Sequence, residues 1–244
     1  MDCVTRLGKH NTRYQYCISK KSLPLDLIIP QPNQVLGSGR FGVVLSGKLK
    51  NETSYDSVAL KIIPLDTFIP NEDCGLTSDP ECRLYTRKNF DIEVKQSKLL
   101  SDYGITPRFI FSDVVDLATF SGPDVKDSLQ APEKIGVILM EEFGQSLKYW
   151  IQNDLDLFLS REKQIKRKVF EKAKQIYDLD YFNMDMHFGN ILYDSDKNDV
   201  RLLDVVMEEV YVPEKMDDET FYSVLEDMWE NDKQDAKKKR KNRS

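Results

Sequence analysis

Apolar positions fall into two kinds of pattern along the chain. Up to about residue 143 they form short β-branched runs broken by turn residues. Beyond it most of them recur at helical spacing. From Val35 the run VLGSGRFGVVLSGKL places strand-like residues on both sides of a glycine cluster, which predicts a hairpin. SVALKIIPL (Ser57 to Leu65) predicts a third strand. FIFSDVVDLATF from Phe109 and KIGVILMEEF from Lys134 predict two more around a Gly/Pro-containing loop. Between them, Arg83 to Ser101 has no Pro or Gly, and Leu84, Phe90, Val94 and Leu99 share one helical face. Gly104 and Pro107 stop that helix.

In the second part, a short helix is expected from Gln145 to Asn153. A longer one follows from Leu159 to Leu179, with Ile165, Val169, Phe170, Ala173 and Ile176 at helical spacing. GNILYD and VRLLDVV are short strands around the turn-like DSDKND. A last helix is expected from Asp218 to about Asp232, with Phe221, Val224, Leu225 and Met228 on one side. The first thirty residues read as an irregular lead-in, and 66–82 as a polar loop insertion. This order predicts an α+β protein of two unequal lobes. The divisions are 1–33 (lead-in), 34–143 (first lobe), 144–232 (second lobe) and 233–244 (basic tail).

Composition narrows the function. With 244 residues, 40% hydrophobic and 31% charged, the chain can bury a core, and bulk disorder is excluded. The net charge of −6 argues against a surface devoted to nucleic acid. Cys3, Cys17, Cys74 and Cys82 show no metal-ligand spacing and read as free thiols, although Cys74 and Cys82 could pair if oxidised. No apolar run approaches the ~20 residues needed to span a bilayer, and no leader peptide is recognised. The expected location is intracellular, in cytoplasm or nucleus. From Met207 to Asp232 there are ten acidic residues and one basic one; from Lys233 to Arg243 there are seven basic and one acidic. KKKRK reads either as a solvated tail or as a nuclear or anionic-surface signal.

Five features carry chemistry, in this order. Gly37-Ser38-Gly39-Arg40-Phe41-Gly42-Val43 is a GxGxxGxV turn between strands, where backbone amides can approach phosphate oxygens. A strand follows the glycines, not a helix, so a dinucleotide site is disfavoured. Lys61, in VALK, can reach phosphates as a point charge. Glu93, in the predicted helix, can pair with Lys61, with Glu81 as its rival. Asp185 and Asn190 lie five apart on a loop leading into a strand, spacing suited to a proton-orienting carboxylate and a hard amide ligand for Mg²⁺. Asp204 follows Asn190 by fourteen residues and ends a second short strand, where it can chelate Mg²⁺ at nucleotide phosphates. His187, in a tight loop, reads as making a backbone hydrogen bond. Trp150 and Trp229 read as packing residues.

Taken together, these features resemble the protein-kinase-like superfamily from about Gln34 to Asp204. The resemblance implies a bilobal fold with a five-stranded antiparallel N-lobe and a reduced, mainly helical C-lobe. It implies ATP and Mg²⁺ as cofactors. Nucleotide contacts fall to Gly37, Ser38, Gly39, Arg40, Phe41, Gly42, Val43, Ala59 and Lys61, with Glu141 and Phe143 in a hinge-like segment binding adenine through backbone groups. Asp185, Lys61 and Glu93 take the catalytic positions, and Asn190 and Asp204 the metal positions. The departures are Asn183-Met184-Asp185 in place of His-Arg-Asp, and Asp204-Val205-Val206 in place of Asp-Phe-Gly. Only 40 residues follow Asp204, where a typical protein kinase has on the order of a hundred for its activation segment and the helices below.

The abbreviated end is similar to the mini-kinases injected by enteric bacterial pathogens, the OspG and NleH effector type, down to a helical motif like Phe221-Tyr222-Ser223-Val224-Leu225. DMHFGNIL also resembles the catalytic loops of aminoglycoside, choline and haspin-type kinases. The expected activity is phosphoryl transfer to Ser/Thr hydroxyls of protein without a standard activation segment. The alternatives are a pseudokinase or scaffold that binds nucleotide or a protein, and a small-molecule phosphotransferase. The effector resemblance implies an activating protein partner such as a ubiquitin-charged conjugating enzyme.

Overall fold

The computed structural model describes residues 2–7, 13–18, 27–28, 34–38, 42–50, 55–65, 85–116, 119–120, 134–179, 181–183, 185–205, 207–208 and 216–241. The Cys74–Cys82 segment, Glu81 and the 66–82 insertion lie outside these residues. The chain is α+β and divides into two units. One takes residues 1–95 and 108–142, the other 96–107 and 143–244.

In the first unit, β1 (Asp2–Leu7) and β2 (Arg13–Ile18) form an antiparallel hairpin. The expected irregular lead-in is therefore corrected. Both strands are short and only Arg13 to Tyr16 alternates polar with apolar residues, so the ladder was not visible locally. Next come β3 (Leu27–Ile28), β4 (Val35–Ser38), β5 (Val43–Lys50) and β6 (Tyr55–Pro64). Helix α1 (Arg87–Asp102) is followed by β7 (Phe109–Asp116), β8 (Thr119–Phe120) and β9 (Lys134–Glu141). β8 extends the β1–β2 hairpin. The main sheet runs β3-β5-β6-β9-β7, and β4 shares the β3 edge of β5. Every pairing in it is antiparallel, and the five expected strands are all present.

The strand period of two decides what each face of this sheet carries. Val58, Leu60 and Ile62 of β6 join Val43, Leu45, Ile135, Val137 and Leu139 in one buried cluster. The intervening residues of β6 point the other way, where Ile63 and Leu65 meet Phe90 of α1 and Ile138. Gly136 is required there: a Cβ on it would come within 2.4 Å of the Phe90 ring. Thr86 caps α1. Its hydroxyl oxygen accepts from the Asn89 N–H at 3.3 Å, and Asn89 Oδ1 accepts from the Thr86 N–H at 3.0 Å. The helix thus starts four residues later than its Pro/Gly-free stretch implied.

The second unit holds β10 (Gln145–Ser146), α2 (Leu147–Asn153), α3 (Leu155–Asp178), β11 (Phe182–Asn183), β12 (Ile191–Asp194), β13 (Asp199–Leu202), β14 (Met207–Glu208) and α4 (Asp218–Lys241). β10, β12 and β13 form a small antiparallel sheet. Asp154 caps α3 by accepting from the Leu157 N–H at 3.1 Å, so α3 begins before the expected Leu159. Helix α4 does not stop at Asp232 but runs on to Lys241 through the basic segment. Phe221, Leu225, Trp229 and Ala236 form its buried stripe, and they join Ile165, Val169, Ala173 and Ile176 of α3 in one core. Ala236 explains the extension, since it gives the basic stretch a buried anchor. Among the described residues no helix is long and apolar enough to cross a membrane.

Candidate active site

Lys61 lies on β6 between Leu60 and Ile62, whose side chains enter the opposite cluster. Alternation therefore turns Lys61 toward the face that carries α1. On that helix Phe90, Glu93 and Val94 are spaced three and four apart, so Phe90 and Val94 dock the helix while Glu93 meets the lysine. Lys61 Nζ and Glu93 Oε1 are 2.7 Å apart, with side chains 15% and 26% exposed. Tyr85 donates its hydroxyl to Glu93 as well. Tyr85 gave no signal in the sequence, because it precedes the helix and its role depends on how the helix docks.

The glycine turn is framed by Gly37 and Ser38 at the end of β4 and Val43 at the start of β5. Gly39, Arg40 and Phe41 lie outside the described residues. The flanking glycines differ in what the fold asks of them. A Cβ on Gly42 would sit 2.2 Å from the Ile62 carbonyl oxygen, so β6 itself excludes any other residue there. A Cβ on Gly37 would meet nothing within 4 Å. Ala59 is buried on the Lys61 side of β6. Glu141 ends β9, where its N–H donates to the Arg108 carbonyl at 2.9 Å and its carboxylate accepts from the Arg108 N–H at 3.0 Å.

In the second unit, Phe143 is buried. Its ring lies beneath the Arg201 guanidinium at 4.7 Å and Lys197 Nζ at 5.0 Å, a cation–π arrangement. The loop from Asp185 to Asn190 folds on itself. The Asn190 N–H donates to the His187 carbonyl at 2.8 Å, and the Gly189 N–H donates to His187 Nδ1 at 2.9 Å. His187 thus makes the backbone hydrogen bond expected of it. The Asn190 side-chain amide donates to the Asp185 carbonyl at 3.1 Å and to its carboxylate at 3.0 Å. The Asp185 side chain is 56% exposed.

Asp204 is brought beside this loop by the β12–β13 ladder. Ile191 pairs with Leu202, and one step further the Leu203 N–H donates to the Asn190 carbonyl at 2.7 Å. Asp204 is exposed and has φ of +45°, a left-handed conformation rare outside glycine. Such backbone strain persists where the surroundings over-determine it, which is common at functional sites. Among the described residues no group of three or more His, Cys, Asp or Glu is arranged to hold a metal ion. The donor types at Asn190 and Asp204 are an amide oxygen and a carboxylate. Both are hard, and a few such ligands suffice for an ion that completes its shell with water and phosphate oxygens.

One contributor had no sequence signal. Asp232, on α4, accepts the Phe188 N–H from within the Asp185–Asn190 loop, across a separation of 44 residues. No protein-family model matches the chain, and no curated protein matches it.

Proposed function

We propose that the protein is an ATP- and Mg²⁺-dependent kinase that phosphorylates Ser or Thr hydroxyls of protein. The observation that carries the reading is the Lys61–Glu93 ion pair. A lysine on a strand next to a glycine turn has many uses. A lysine held by a helix-borne glutamate, in a chain that also gathers Asp185, Asn190 and Asp204 at one loop, has far fewer.

The open space at Gly37 supports close approach of phosphate oxygens to the turn, since packing alone does not require glycine there. Bound ATP–Mg²⁺ would supply the transferable phosphoryl group and a divalent charge to balance its oxygens. Lys61 would hold phosphate oxygens, its ammonium fixed by Glu93. Asp185 would orient the acceptor hydroxyl and take its proton. Asn190 Oδ1 and the Asp204 carboxylate would hold the metal, with Asn190 Nδ2 committed to Asp185. Catalysis of this kind is mostly positioning and charge stabilisation.

The test is transfer of radiolabelled phosphate from ATP to a protein panel and to the chain itself. Wild type is expected to transfer, and Lys61→Ala and Asp185→Ala to lose about 100-fold or more. Equal signal from wild type and Lys61→Ala sinks the reading. Nucleotide binding without transfer to any acceptor would instead make the chain a scaffold.

A further inference from the structure

Phe188 sits midway between Asp185 and Asn190, and unit-2 contacts hold it on every side. Its carbonyl accepts from the Lys148 N–H, at the start of α2, at 3.0 Å. Its N–H donates to the Asp232 carboxylate of α4. Its ring meets Trp229 edge-on at 4.7 Å and Phe158 at 6.0 Å. Trp229 and Asp232 are three apart on α4, so one helix face delivers the aromatic wall and the hydrogen-bond acceptor together. That face is held down nearby, where Lys233 pairs with Glu162 of α3 and Trp229 Nε1 donates to the same carboxylate at 3.2 Å.

We infer that Asp232 is a positioning residue for the reaction proposed above, acting on Asp185 and Asn190 through the Phe188 backbone. The inference rests on that functional reading for its catalytic consequence, but not for the contact itself. Phe188 has only two residues on one side before Asp185 and one on the other before Asn190. Rotation of its peptide therefore displaces both functional side chains. Asp185 and Asn190 are also tied to each other, the Asn190 side-chain amide donating to the Asp185 carbonyl and carboxylate, so a shift of the backbone between them disturbs the pair together. A carboxylate accepting a backbone N–H is among the stronger hydrogen bonds available, and burial of Phe188 leaves its amide poorly reached by water. The acidic stretch of the C-terminal helix thereby gains a role in the loop that carries the chemistry.

The experiment uses the full chain in four forms: wild type, Asp232→Ala, Asp232→Asn and Glu226→Ala. Glu226 binds Lys166 of α3 and does not touch the loop, so its variant reports what weaker docking of α4 does by itself. Amide exchange at Phe188 and phosphate transfer from ATP are measured together below the melting temperature of each variant. Asp232→Ala is expected to speed Phe188 exchange about tenfold. It is also expected to lower kcat about tenfold while leaving the KM for ATP within about twofold, because misplacement of the loop affects transfer more than nucleotide grip. Asp232→Asn keeps an acceptor oxygen and should recover most of both losses. Glu226→Ala should change neither. The inference is overturned if Phe188 stays protected in Asp232→Ala, or if Glu226→Ala reproduces its effects. If wild type itself transfers no phosphate, the functional reading falls, and faster Phe188 exchange in Asp232→Ala still separates the contact from that failure.

Discussion

The Asn190 amide donates to both the carbonyl and the carboxylate of Asp185, at 3.1 and 3.0 Å. This gives one short side chain two tasks. Its nitrogen holds the carboxylate that would orient the acceptor hydroxyl in the proposed reaction, which leaves its oxygen as the atom that would take a metal. Asn190→Asp keeps the oxygen but removes the donor and sets two carboxylates against each other. Phosphate transfer is expected to fall about 100-fold or more, the range typical of losing one preorganised polar contact at a reaction centre. Circular dichroism should be unchanged, since Asn190 is partly exposed and outside the core. Transfer within threefold of wild type would show that the amide donor is dispensable.

The Lys61–Glu93 pair makes a separate prediction. Glu93→Gln leaves Lys61 charged but loosely held, and the pair is only partly buried, so stability should fall by about 1 kcal/mol or less. The functional loss should be larger, with KM for ATP rising about tenfold as Lys61 loses its fixed direction. Thermal melting and ATP titration on the same sample check this. A large drop in melting temperature with unchanged KM would make the pair a structural device.

Much of the Lys61–Glu93 pair was legible in the sequence. β6 has a two-residue period and α1 a three-to-four-residue one, and together they aim Lys61 and Glu93 at one face. What the sequence left open was which glutamate completes the pair, because the helix register is set by where Thr86 caps it. The β1–β2 hairpin was hidden because its strands are short and only Arg13 to Tyr16 alternates polar with apolar residues. The end of α4 was hidden because KKKR reads as a solvated tail unless Ala236 is known to be buried. Asp232 is the clearest case of long-range information. It is one acid among many in its stretch, and only the docking of α4 on Phe188 distinguishes it.

Helix α4 should loosen in acid. Burial acts to raise the Glu162 carboxyl, but hydrogen bonds from Lys233 and Trp229, with the charges of Lys233 and Lys237, outweigh it and hold the group below the ordinary carboxylate range. A carboxyl depressed in the folded state stabilises the fold above its unfolded value, and that stability is lost as pH falls through the folded value. Lys233 is shifted the opposite way. Burial lowers it, but its bond to Glu162 wins and raises it, so its share is intact until strongly alkaline pH. Wild type should therefore lose melting temperature between about pH 5 and pH 3 more steeply than Glu162→Gln, which keeps the acceptor oxygen and has no charge to lose. At pH 7 Glu162→Gln should melt roughly 2–4 °C lower, for a cost of about 1 kcal/mol. Parallel pH profiles for the two proteins would remove Glu162 from the acid response.

The two flanking glycines of the turn should separate fold from function. Gly42 is adjacent to Val43, which pairs with Ile62, and the Ile62 carbonyl fills the place of a Cβ at 2.2 Å. That neighbour is backbone in the middle of a sheet and cannot move aside cheaply. Gly42→Ala should therefore destabilise the first unit by about 1–3 kcal/mol through overpacking, whatever the turn binds. Gly37 has open space where its Cβ would go, and its backbone lies outside the left-handed region that penalises alanine. Gly37→Ala should leave melting unchanged or raise it slightly, since alanine restricts the unfolded chain. If the turn covers phosphates, the new methyl group would stand where their oxygens approach, and KM for ATP should rise several-fold. Comparing melting temperature and ATP affinity across the two variants decides the matter. Gly37→Ala with normal stability and normal ATP affinity would mean that the glycine turn is a hairpin and nothing more.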